Sequence, residues 1–161
     1  MRYKKVVLPL LGVAGIIGFC ACPHPIKEEV KTQQVTVLDV PGWPVNGQTL
    51  CNGDHPLIIL KAPMDDSTRM SVLQHELHHS KQMSRMGGCL KASLRYRDDP
   101  DFRFAMEADA YCQELRWWIQ NTKRTYDELA LRLITFLSLT YGKDMETEDV
   151  IHRFKLICPR G

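Results

Sequence analysis

The run His75-Glu76-Leu77-His78-His79 constrains this chain more than any other stretch of it. Residues four apart on a helix stand one above the other, so His75 and His79 can present two imidazoles to one metal ion while Glu76 reaches a water bound to it. Turning the helix by about 100° per residue from His75 places His79 at about 40° and Glu76 at about 100°, with Val72 and Met83 between them. Met70, Leu73 and Leu77 fall at about 160° to 220°, so the metal-facing surface adjoins a buried one. His78 falls at about 300°, beside Ser71, Gln74, Lys81, Gln82 and Arg85, and reads as solvated.

A site with two histidines needs a third protein ligand, and a second helix offers one. Phe104, Ala108, Tyr111, Cys112, Leu115, Trp118 and Ile119 form an apolar stripe at helical spacing, with Glu107 on its edge. An ionised carboxylate there is costly to bury unless it is paired or metal-bound, which makes Glu107 the expected third ligand. The competing reading is an ion pair with Arg103, one turn earlier.

The compartment follows from the N-terminus. Arg2, Lys4 and Lys5 precede an uncharged, mostly apolar run from Val6 to Ala21, the pattern of an export signal over residues 1–21. As a membrane span the run is short of the roughly 20 residues needed, and Pro9, Gly12, Gly15 and Gly18 weaken it as a helix; an uncleaved anchor is the alternative. Phe19-Cys20-Ala21-Cys22 resembles the lipobox of bacterial lipoproteins, with Ala21 before a Cys22 that would carry lipid; ordinary cleavage nearby is the other reading. The expected location is the bacterial cell envelope, as a periplasm-facing lipoprotein of the outer membrane. Without the signal the charge falls from +2 to 18 basic against 19 acidic side chains, which leaves no electrostatic footprint for nucleic acid.

Cys51, Cys89, Cys112 and Cys158 remain for an oxidising compartment, and two disulfides are expected. Four cysteines permit three connectivities; the favoured one joins Cys89 to Cys112 and Cys51 to Cys158.

Residues 22–32 read as a tether and 33–161 as one domain. Val35 to Val40 and Leu57 to Leu60 have strand character, separated by a stretch containing Gly and Pro. Helices are expected from Asp66 or Ser67 to about Met86, stopped by Gly87-Gly88; over Leu90 to Tyr96; from Pro100 to about Thr122; from Thr125, with Glu128 in a capping box, to about Tyr141; and over Glu146 to Ile157. Arg95-Tyr96-Arg97-Asp98-Asp99 reads as a solvated turn. The class is α+β, helix-dominated with a small N-terminal β-sheet.

Through His75, Glu76, His79 and Glu107 the chain resembles the zincin metallopeptidases of the gluzincin branch, over about residues 57–119. Val72 and Leu73 suit the zincin pattern, whereas Lys81 stands where an apolar residue is usual. Tyr111 occupies the place of an aspartate that orients a histidine in thermolysin-like members, and the runs around both helices look more like small metallopeptidases of bacterial and phage sequences. The resemblance implies a zincin-like fold and a Zn2+ cofactor held by His75, His79 and Glu107. It also implies a peptide or protein substrate and amide cleavage through a zinc-bound water, with Glu76 as general base. Tyr111 is the candidate oxyanion donor, with His152 or an Arg behind it and a core aromatic as its plain reading. The strand over Leu57 to Leu60 would border the cleft and pair with substrate. A monomer is expected. The rival function is a non-enzymatic envelope lipoprotein, a binding or inhibitory module on the same scaffold; Glu76 argues for the enzyme, because a structural zinc site has no use for it.

Overall fold

The computed structural model describes residues 4–6, 35–142 and 145–160. Cys22, the tether and most of the export signal lie outside the described residues.

Strands β1 (Lys4–Val6), β2 (Val35–Pro41), β3 (Gly47–Asn52) and β4 (His55–Ala62) precede helices α1 (Asp66–Arg85), α2 (Cys89–Asp98), α3 (Pro100–Asn121), α4 (Tyr126–Thr140) and α5 (Thr147–Ile157). The architecture is α+β, with helices predominating over a small sheet in the order β1-β2-β4-β3. β2 runs parallel to β4, Val37 opposite Ile58, while β3 is antiparallel to β4, Thr49 opposite Ile58. Ile58 and Leu60 are fully buried against Val37 and Val72, which seats α1 on the sheet.

β3 was not foreseen, although its signal is present. Asn52 pairs with His55, so Gly53-Asp54 forms a two-residue hairpin loop in which Gly53 takes φ 62°. The consequence is a correction to the substrate-pairing role of Leu57 to Leu60. β4 has both edges occupied, and β3 is the edge strand beside the helices.

Helix ends follow their side chains. Asp65, rather than Asp66 or Ser67, caps α1 by accepting from the Thr68 N–H. The Thr125–Glu128 capping box is present at α4. A second core lies between α3, α4 and α5, where Phe104, Leu115, Leu137, Val150 and Phe154 are almost wholly buried.

The disulfides are Cys51–Cys89 and Cys112–Cys158, not the pairing expected. Cys89 opens α2 at the end that lies against β3, beside Cys51, whereas Cys112 in mid-α3 faces the C-terminal end of α5, where Cys158 stands. Helix adjacency in sequence misled the pairing because α3 is long and its middle packs on α5, away from Cys89. Among the described residues no helix is long and apolar enough to cross a membrane.

Candidate active site

The inner face of α1 is unusually polar. Ser71, His75, Glu76, His79, Ser80 and Gln82 are buried there beside Val72 and Met83. A helix that buries so much polarity does so at a cost, and the compensation must come from specific partners.

α3 supplies the first of them. It brings Glu107 to the two histidines: Glu107 Oε2 lies 3.5 Å from His75 Nε2 and Oε1 3.4 Å from His79 Nε2, and the two Nε2 atoms are 3.1 Å apart. All three residues are about 95% buried, and their candidate ligand atoms lie within 4.8 Å of one another. The two Nε2 atoms and the Glu107 carboxylate are thus close enough for the three side chains to share one metal ion.

Charge points the same way. Burial alone would depress His75, but Glu107, Glu114 and Glu76 overcome it and raise the imidazole to about 10. Burial alone would raise Glu107, yet His75 and His79 hold its carboxyl well below the usual carboxylate range. The carboxylates around His75 favour a positive charge at this place, and a divalent cation can supply one. No ion pair joins Glu107 to Arg103 among the described residues, and the Arg103 guanidinium lies 5.9 Å from the centre of the Tyr96 ring.

Supporting groups surround this core. His79 Nδ1 lies 2.9 Å from Gln82 Oε1. Glu114 Oε2 stands 3.5 Å from His75 Nδ1, an ion-pair contact without hydrogen-bond geometry, so Nδ1 has no hydrogen-bond partner among the described residues. The Thr49 hydroxyl on β3 donates to Glu76 Oε2 at 2.7 Å. Tyr96 Oη donates to Glu107 Oε1 at 2.5 Å. Tyr96 therefore does not sit in a solvated turn: residues 95–98 complete α2 and aim this phenol into the site. Burial, reinforced by the Glu107 charge, raises the Tyr96 and Tyr111 phenols and pushes Tyr141 up to about 12, so all three remain donors.

His78 is corrected as well. Its ring is largely buried and its Nε2 lies 2.6 Å from Asp109 Oδ2, because α3 packs on the flank of α1 that the single-face projection left to solvent. Burial lowers His78, with Asp109 opposing. Burial would raise Asp109, but His78 and Gln82 hold it low.

The site opens into a cleft of about 800 Å³ between β3 and the α3–α4 wall. Tyr111 lines it, its ring edge-on to His75 at 4.3 Å between centroids, with Arg132 and Phe136 on α4 nearby. His152 is exposed on α5 and does not line the cleft.

Gly47 sets how closely β3 approaches α1. A Cβ at position 47 would lie 2.4 Å from Val72 Cγ1 and 2.8 Å from Glu76 Oε1. Gly47→Ala is therefore expected to displace Glu76 and to cost about 1 to 3 kcal/mol of stability. Urea titration measures the cost; an unchanged midpoint would show that the strand can shift freely.

A family model described as "Putative metallopeptidase family (DUF6782)" matches residues 44–124, just over half of the chain. The chain belongs to this family. The matched region begins at the cleft lip before β3 and runs through α3, taking in Thr49, His75, Glu76, His79, Tyr96 and Glu107. Membership of a metallopeptidase family implies a metal ion, and the group formed by His75, His79 and Glu107 could bind one. No curated protein and no solved structure matches the chain.

Proposed function

We propose that this member of the metallopeptidase family is a zinc-dependent hydrolase of the gluzincin type that cleaves amide bonds in peptide or protein substrates. The observation that carries the reading is the cluster of His75, His79 and Glu107, three buried side chains whose candidate ligand atoms lie within 4.8 Å of one another, with the buried Glu76 next to His75 on the same helix. His75, His79 and Glu107 would hold the ion. Zinc, when bound, supplies a Lewis acid that polarises a carbonyl and makes water acidic near neutral pH.

The chain's own groups account for the rest. Thr49 occupies Glu76 Oε2, and Oε1 makes no hydrogen bond among the described residues, so Oε1 receives the proton of the attacking water and passes it to the leaving amine. Tyr111, protonated and beside His75, is the proposed oxyanion donor; the Tyr96 hydroxyl is committed to Glu107. The outer edge of β3 borders the cleft, and an extended substrate would pair with it as an added strand. In the same proposal the enzyme is exported as a monomer, with residues 1–21 and so strand β1 removed to leave the β2-β4-β3 sheet, with lipid on Cys22 tethering the domain to the envelope, and it has no nucleic-acid partner.

The test is metal analysis of the purified domain with a Glu107→Ala variant. About one zinc per chain is expected, and loss of one of three ligands should weaken binding at least a hundredfold while leaving the helical signal intact. A wild type free of zinc after zinc-replete preparation would sink the proposal. Zinc bound without turnover of a broad peptide library would favour the non-enzymatic binding module.

A further inference from the structure

We infer that Gln82 is a positioning residue that holds His79 in its Nδ1–H tautomer, leaving the Nε2 lone pair for the metal, and that Asp109 aligns Gln82 for this task. The inference rests on reading His79 as a metal ligand.

The argument is an inventory of donors and acceptors. Gln82 is about 91% buried, and its amide offers two N–H donors and one carbonyl acceptor. Gln82 Nε2 lies 3.1 Å from the Met106 carbonyl and 3.0 Å from Asp109 Oδ2, and both of those groups only accept. The amide nitrogen must face them, which leaves Oε1 facing His79 Nδ1 at 2.9 Å. An acceptor at that place obliges Nδ1 to carry the proton, and a neutral imidazole protonated there has its lone pair at Nε2. Nε2 is the atom within 3.4 Å of Glu107 Oε1 and 3.1 Å of His75 Nε2.

The anchor is itself anchored. Asp109 Oδ2 also meets His78 Nε2 at 2.6 Å. One short stretch of α3 thus carries Glu107 and, on either side of it, the two acceptors that orient a histidine of α1. His75 lacks such an arrangement, since its Nδ1 has no hydrogen-bond partner among the described residues. The two imidazoles are therefore positioned by different means.

The test compares histidine side-chain 15N NMR of the metal-free protein with zinc affinity measured against a competing chelator, in the wild type, Gln82→Met, Asp109→Ala and the double variant. The wild type should show His79 protonated at Nδ1. Gln82→Met should lose that signature and bind zinc about 10 to 100 times more weakly, with the fold retained by circular dichroism. Asp109→Ala, at a partly exposed position, should weaken zinc binding less, because Met106 still holds the amide, and should add no further loss in the Gln82→Met background. Gln82→Met with the tautomer unchanged and affinity within twofold of wild type would overturn the inference. So would additive losses in the double variant. If Gln82→Met does not fold, Asp109→Ala carries the same comparison: retained tautomer order and unchanged affinity would reject the relay. A wild type that binds no zinc would refute the ligand reading of His79, whereas the tautomer comparison, made without metal, still decides the role of Gln82.

Discussion

Glu76→Gln is expected to lower kcat by about 10² to 10⁴ while zinc content stays at the wild-type value, because the proposed mechanism makes Glu76 the general base and a positioned base contributes about that factor. The substitution keeps volume and burial and still offers Thr49 an acceptor, so the 2.7 Å contact to β3 survives in kind. What it removes is the capacity of the free oxygen to take a proton. Glu76 is not among the three groups whose ligand atoms converge, and zinc affinity should move little. Single-turnover cleavage of a peptide, with metal analysis of the same sample, reads both quantities. Retained cleavage would remove Glu76 from the mechanism; lost cleavage with lost zinc would reassign it to the metal shell.

The second large effect is on stability. Opening Cys112–Cys158 by Ala at both positions is expected to cost about 4 kcal/mol, the chain-entropy value for closing a loop of this span. The partners are 46 residues apart and both are 99% buried among Phe104, Leu115 and Phe154. Against a total of about 5 to 15 kcal/mol for an ordinary domain, that loss is severe. Urea titration of the oxidised wild type and the double variant measures it, and a change below about 1 kcal/mol would mean that the packed core alone keeps α5 in place. The Cys51–Cys89 bridge does a different job: it ties β3, with Gly47 and Thr49, to the helix that carries Tyr96. Its removal should disturb the cleft more than the α3–α5 core.

The helices were largely legible in the sequence because their termini are local chemistry. Pro100 at the start of α3 and the Thr125–Glu128 box at α4 act within a few residues, and the structure places helices there. The convergence of His75, His79 and Glu107, a group that could bind a metal, was legible for a similar reason. Spacing along α1 puts His75 beside His79, and the cost of burying a carboxylate drew attention to Glu107, which the structure brings to both.

What stayed hidden depends on contacts between elements. Thr49 lies 27 residues from Glu76 and Tyr96 lies 11 from Glu107. Nothing about a Thr in a short edge strand or a Tyr among arginines and aspartates marks either as a partner of a buried carboxylate. The Gly53-Asp54 turn could have revealed β3, and with it the fact that β4 is enclosed. His78 was assigned to solvent because a helical projection assumes one packed face, and α3 covers a second flank, where Gln82 is also engaged.

From the sequence alone follow the helical register that aligns His75, Glu76 and His79, the buried setting of Glu107, and the cysteine count that implies two bridges. These rest on local periodicity, capping and the price of burying charge. Only the tertiary structure decided which cysteines meet, which strand borders the cleft and which side chains hold the site in place. Those depend on how α3 crosses α1 and how β3 folds back on β4, distances between residues far apart in the chain that no local rule encodes.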